Sequence, residues 1–248
     1  MPQFFAERDP EIPDRIVITG EDAHHIARSL RMAVGDPMTV CDRQGVRYEG
    51  RISAFENDRA VYVEILSAAP SASEPACRIT LFQALPKGDK LEQVIQKAVE
   101  CGAFRIVPFE SANCVVRIKP ETEERKRERR QKIAAEAAKQ SGRGILPEVS
   151  ETVDFRTMLT MAAESELCLF CYEGTGTRPI GGILRELAGK LPQSIAVVVG
   201  SEGGFSPAEA EAAKAGGACL TGLGKRILRT ETASVFALAC ISCMTELG

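Results

Sequence analysis

From Arg78 to the C-terminus, short apolar runs at 79–85, 106–109, 167–172, 195–199 and 218–220 alternate with helical segments. Strands separated by helices cannot pair as hairpins, so this part of the chain must build a mostly parallel sheet with helices over both faces. One helix can be read residue by residue: Leu91, Val94, Ile95, Ala98 and Val99 recur at helical spacing, and Gly102 follows as a stop. The first seventy residues obey a different rule. Runs at 15–18, 38–41, 46–55 and 60–66 have strand composition and are broken by Gly35-Asp36, Gln44-Gly45 and Asn57-Asp58, with one helix at 21–32 between them. Pro70 and Pro75 enclose small residues, which sets a linker over 71–77 between two domains, 1–70 and 78–248.

Charge is unevenly distributed. The chain carries 31 Lys+Arg against 34 Asp+Glu, a net −3, which taken whole argues against nucleic-acid binding by bulk charge. Yet residues 113–147 hold ten basic and five acidic side chains, a local +5, whereas 1–70 sum to −4. The basic stretch falls on a long polar helix, 121–142, whose charged run reads either as a solvated face or as a phosphate-binding surface.

No apolar stretch approaches the roughly 20 residues that a membrane span needs, and the first thirteen residues lack the order of a secretion signal. A cytoplasmic location and no membrane contact are therefore expected. Nine cysteines, an odd set within strand-like and helix-like segments, suit reduced core thiols. The pairs Cys168/Cys171 and Cys240/Cys243 lie in apolar runs without zinc-knuckle turns, so no metal is expected.

The chemistry concentrates near the C-terminus. In Val197-Val-Val-Gly-Ser-Glu-Gly-Gly-Phe-Ser-Pro207 an apolar strand enters a Gly-rich turn, and Ser206 with Pro207 signals the start of a helix. Glu202 stands at the second glycine position of a dinucleotide fingerprint, and Gly224-Lys225 is followed by Arg226 instead of the Ser/Thr of a P-loop. Zinc-hydrolase and serine-hydrolase signatures are absent. A second cluster, Leu223-Gly-Lys-Arg-Ile-Leu-Arg-Thr-Glu-Thr-Ala-Ser234, mixes Lys225, Arg226 and Arg229 with Leu223, Ile227 and Leu228. That mixture suits a pocket with an apolar wall for a flat ring and cations for an anionic partner. Thr230 is the expected N-cap of the last helix, 232–247.

These two clusters make the chain similar to the RsmE family of 16S ribosomal RNA (uracil-N3) methyltransferases, within the SPOUT superfamily. Further blocks agree: His24-His25 with Leu30-Arg-Met32, Gln83 through Lys90 with Gln96-Lys97, and Glu136 through Arg143 with Pro147. Ser201 departs from the family's usual proline, which loosens the turn without removing a reacting group.

The resemblance implies an α/β SPOUT-type, mostly parallel sheet with a C-terminal deep trefoil knot, preceded by a small PUA-like β-barrel that binds RNA. It implies S-adenosylmethionine as cofactor, held by Tyr172, Val199, Gly200, Glu202, Gly203, Gly204, Leu223, Gly224, Ile227 and Leu228. The reaction it implies is methyl transfer to N3 of uridine 1498 in 16S rRNA of the small subunit. Arg229 is assigned to the uracil anion, while Glu202 and Glu231 are each left with two roles, accepting the proton or fixing the loop. RNA contacts fall to Arg28, Arg31, Lys87, Lys90, Arg129, Arg143 and Arg226, and the chain is expected to form a homodimer through its apolar last helix. Two other readings remain open on sequence: a SPOUT enzyme for another RNA site, and a non-catalytic RNA-binding assembly factor.

Overall fold

Alternation of polar and apolar residues along 15–19 and 37–70 folds the N-terminal part into a mixed sheet. The computed structural model describes residues 2–9, 11–57, 59–117, 120–187 and 190–246. The N-terminal strands are β1 (Gln3–Phe5), β2 (Arg15–Thr19), β3 (Pro37–Cys41), β4 (Val46–Glu56) and β5 (Ala60–Pro70), in the order β1-β3-β4-β5-β2. Only β1 and β3 run parallel. Register shifts at Glu49/Gly50 and Ile52/Ala54 bend the long β4–β5 ribbon. An isolated bridge from Arg8 to Ile16 returns the chain after β1 to β2, so the two sheet edges meet at one point. Ile16, Ile18, Met38, Val40, Ile52, Val61 and Val63 fill the interior.

The helix expected over 21–32 is shorter. It starts as α1 (Gly20–His24), widens into a π-helical turn at His25–Ser29, and ends where Arg31 takes a left-handed conformation with φ 52°. Contacts divide the chain into two units, Met1–Glu74 with Ala138–Leu146, and Pro75–Ala137 with Pro147–Gly248.

The second unit has the expected alternation. In chain order it comprises β6 (Arg78–Ala84), α2 (Lys90–Glu100), β7 (Arg105–Glu110), α3 (Pro120–Ser141) up to Ala137, β8 (Glu148–Val149), β9 (Val153–Asp154) and α4 (Phe155–Ala162). There follow β10 (Leu167–Cys171), β11 (Arg178–Pro179), α5 (Ile180–Glu186), β12 (Ser194–Val199), α6 (Pro207–Ala215), β13 (Cys219–Gly222) and α7 (Thr230–Thr245). The sheet is parallel throughout, in the order β11-β13-β10-β12-β6-β7-β8, with β9 also on β7. The step from β10 to β12 and then back past β10 to β13 makes a crevice at the C-terminal strand ends, where parallel sheets bind ligands.

Helix α2 buries Leu91, Val94, Ile95, Ala98 and Val99, the face read from its periodicity. Each of its Leu, Ile and Val side chains contributes about 1.5–3 kcal/mol by leaving water. Helix α7 differs from expectation. Thr230, Ala233, Ser234, Ala237, Leu238 and Ile241 are buried, but the opposite stripe of Phe236, Ala239, Cys240, Cys243 and Met244 is half-buried or exposed. Among the described residues the helix is covered on one side only, and Leu247 lies outside them.

Candidate active site

Two loops at the C-terminal ends of the parallel strands enclose a cavity of ≈ 750 Å³. One is the turn after β12. Gly204 N–H donates to Ser201 O at 2.9 Å and closes it, and Phe205 turns its ring down into the core against Phe170, 4.2 Å between centroids. The helix behind it starts with a complete capping box: Ser206 Oγ accepts from Glu209 N–H, and the Glu209 carboxylate accepts from Ser206 N–H. The same carboxylate accepts from Ala112 N–H at 2.8 Å, which ties the box to the loop after β7.

That loop buttresses the turn. Asn113 Nδ2 donates to Gly203 O at 2.9 Å, and a Cβ on residue 203 would stand 2.8 Å from Asn113 Cβ. Glycine is required there because of this close approach. At Gly174 the nearest atoms to an added Cβ belong to the Tyr172 ring, a side chain that can move aside.

The second wall is the segment from Gly222 to Arg229, which leaves β13 and enters α7. Ile227 is 83% exposed on the cavity wall, an apolar side chain held in the open. Lys225, Arg226 and Arg229 line the same wall, and their charged groups have no ion-pair partner among the described residues. Three uncompensated cations around one cavity favour a ligand or substrate with negative charge.

A charge cluster closes one end. Lys90 Nζ donates to Glu202 Oε1 at 2.7 Å and lies 3.8 Å from Glu231 Oε2, a buried oxygen with no hydrogen bond. Lys87 N–H also points to the Glu202 carboxylate, at 3.2 Å. Burial pushes the Glu202 carboxyl up, but the Lys90 ammonium and backbone N–H donors outweigh it and hold the group below its ordinary value. Burial pushes the Cys168 and Cys171 thiols up to about 12, so Cys171, on the cavity wall, is a neutral thiol at physiological pH.

Residues 73–242 match the model of an RNA methyltransferase domain, and residues 18–66 match that of an RNA methyltransferase PUA domain. The ribosomal RNA small subunit methyltransferase E of Bacillus subtilis is 36% identical over 232 residues, 93% of this chain and 90% of its own. The chain belongs to the RsmE family. The protein of that name from Synechocystis is 33% identical over 93% of this chain and 74% of its own length. The structure of the Neisseria gonorrhoeae methyltransferase E, bound to S-adenosyl methionine, superposes with a TM-score of 0.83 at 27% identity, covering 98% of each chain.

Against this family background, the ten residues assigned from sequence to the cofactor all line the cavity, and Arg229 lines it with them. Glu231 does not; it lines a smaller groove between α2 and α7, with Gln93, Gln96 and Lys97. One RNA assignment needs correction. Arg143 is 3% exposed and is spent on Glu74, at 2.7 Å, so it is a buried ion pair of the N-terminal unit and no phosphate contact. Lys90 faces two carboxylates, so its charge is compensated within the site. Arg28, Arg31, Lys87, Arg129 and Arg226 are exposed, Arg129 in an ion pair with Glu92.

Sequence reasoning missed the polar support behind the loops: Gln83, Ser234 and Asn113 received no role. Thr230 was expected to cap α7, but Arg229 is the cap residue, and the Thr230 hydroxyl donates to Gly200 O at 2.6 Å.

Proposed function

We propose that the chain is an S-adenosylmethionine-dependent methyltransferase that methylates N3 of uridine 1498 in 16S rRNA of the small ribosomal subunit. The observation that carries this reading is the meeting, in one cavity, of the ten residues assigned to the cofactor and of Arg229. The cavity residues fit the cofactor. A volume of ≈ 750 Å³ suits a ligand of its size, and Ser201 brings to the wall a buried Oγ with no partner. Residues 199–204 with Tyr172 would hold its polar parts through backbone groups, and Leu223, Ile227 and Leu228 would pack its ring. When bound, it supplies an electrophilic methyl group on a sulfonium sulfur.

The chain's own residues must prepare the nucleophile. Uracil N3 carries an imide proton and attacks poorly until that proton leaves. Arg229, an exposed cation with no side-chain partner among the described residues, stabilises the uracil anion through O2 or O4. Glu202 is a weak base because Lys90 and the Lys87 N–H already hold its carboxylate; its task is to fix the turn. Glu231 lies outside the cavity with its Oε2 3.8 Å from Lys90 Nζ, so it helps to hold Lys90, and the N3 proton leaves to solvent.

Arg28, Arg31, Lys87, Arg129 and Arg226 contact phosphates, with the N-terminal unit acting as an RNA-holding module. Two copies pair through the uncovered stripe of α7, an apolar face without a cover in one chain. The chain works in the cytoplasm, where its substrate is made. As the test, the purified chain is titrated with S-adenosylmethionine by calorimetry, then supplied with small subunits and a labelled methyl group. Cofactor binding and label in 16S rRNA are expected; RNA binding without cofactor binding overturns the enzyme reading in favour of an assembly factor.

A further inference from the structure

The two cavity walls are joined behind the cavity by a buried polar relay that starts on a strand belonging to neither. Gln83 lies near the end of β6, opposite Val199 of β12, and is fully buried. Its Nε2 donates to Thr230 Oγ1 at 2.8 Å and to Ala84 O at 2.9 Å, with Gly200 O at 3.3 Å. The Thr230 hydroxyl in turn donates to Gly200 O at 2.6 Å. On the other side, Gln83 Oε1 accepts from Ser234 Oγ at 2.5 Å, one turn further along α7. Gly200 opens the turn at 200–204, and Thr230 directly follows the segment from Gly222 to Arg229 and itself borders the cavity.

We infer that Gln83, acting through Thr230, is a positioning residue for methyl transfer: it sets the spacing of the two loops and thereby the place of Arg229. This rests on the function proposed above. Hydrophobic burial cannot do this task, because it fixes how much surface meets but not the register of one loop against another. The donor order Gln83 N–H to Thr230 O–H to Gly200 C=O also has one direction, so an acceptor at position 83 would reverse it. In-line transfer depends steeply on alignment, and a displacement near 1 Å costs on the order of 100-fold in rate. Binding spread over many backbone contacts tolerates the same displacement better.

The test measures S-adenosylmethionine affinity and stoichiometry by calorimetry, and methyl transfer per bound site, in wild type, Gln83→Met, Thr230→Val and Thr230→Ser. Counting per bound site removes any effect of a smaller folded fraction. Thr230→Val should lower the rate per bound site roughly 10- to 100-fold while raising the cofactor Kd less than about 5-fold. Thr230→Ser, which keeps the hydroxyl, should recover most of the rate, and Gln83→Met should behave as Thr230→Val does. Should Gln83→Met fail to fold, the Val and Ser variants decide. Thr230→Val with a wild-type rate per bound site overturns this inference alone. A wild type that binds no S-adenosylmethionine overturns the functional reading and this one with it.

Discussion

Lys90 Nζ lies 2.7 Å from Glu202 Oε1 and ties the first turn of α2 to the Gly-rich turn after β12. Both side chains are about 30% exposed, so the pair contributes about 0.2–1 kcal/mol to global stability, and its effect is local. On the proposed mechanism Glu202 acts as a tether and not as a base.

This tether has a pH dependence of fixed sign. The Glu202 carboxyl is held below the ordinary value of 4.5. Its contribution is therefore complete above that value and is lost as pH falls through the lower folded value. Cofactor affinity should be flat from about pH 6 to 8 on this account and should decline only in acid. Lys90→Met should move the acid decline to higher pH. Calorimetry across pH checks both, and an unmoved decline in the variant contradicts the tether.

Arg229→Ala should lower methyl transfer by about 100- to 1,000-fold, the usual cost of losing one donor to a developing anion. The cofactor Kd should change less than about 3-fold. Arg229→Lys should recover part of the rate, because charge returns without the planar fork. Single-turnover kinetics with saturating cofactor give the rate; equal losses in rate and cofactor affinity would refute the assigned role.

Arg143→Ala should leave the half-buried Glu74 carboxylate with only the Gly144 and Ile145 N–H groups, and should destabilise the fold by about 1–3 kcal/mol. Urea unfolding measures this. The salt dependence of RNA binding should not change at temperatures where the variant is folded, whereas Arg28→Ala should reduce the slope by about one. A reduced slope for Arg143→Ala would restore it to the RNA surface.

Gly203→Ala should push a methyl group to 2.8 Å from Asn113 Cβ and 3.1 Å from Asn113 O. Asn113→Ala keeps both atoms, so it should not rescue the variant. A cofactor Kd raised roughly 10-fold or more in Gly203→Ala, with or without Asn113→Ala, is expected, since the turn must shift to relieve the contact. Rescue by Asn113→Ala would show that the side-chain amide, not the close approach, matters.

What was legible in the sequence was whatever local chemistry determines. The apolar face from Leu91 to Val99 and the Gly-rich turn at 200–204 are written in neighbouring residues, and both stand as read. The helix start at Ser206 turned out better made than the Ser206-Pro207 signal alone implied, because Glu209 closes the box and also holds Ala112. The failures are long-range. Arg143 looks like any basic residue after a basic helix until Glu74, 69 positions away, is packed against it. Gln83 meets Thr230 and Ser234, 147 and 151 positions away, and no spacing rule reaches that far. Thr230 has a capping residue's composition, but Gly200 O, 30 residues upstream, recruits its hydroxyl, and the chain starts the helix one residue earlier. Three-residue β1 is too short to carry a period-two signal, and its parallel partner lies beyond a second strand and a helix.

On the proposed function, Arg229 and the two cavity walls serve methylation of one uracil nitrogen. Mass mapping of 16S rRNA from a strain lacking this gene, with and without the wild-type chain or Arg229→Ala supplied in trans, tests it most directly. 3-Methyluridine at position 1498 should disappear, return with the wild-type chain, and stay absent or far below normal with Arg229→Ala. An unchanged 3-methyluridine signal in the deleted strain would contradict it.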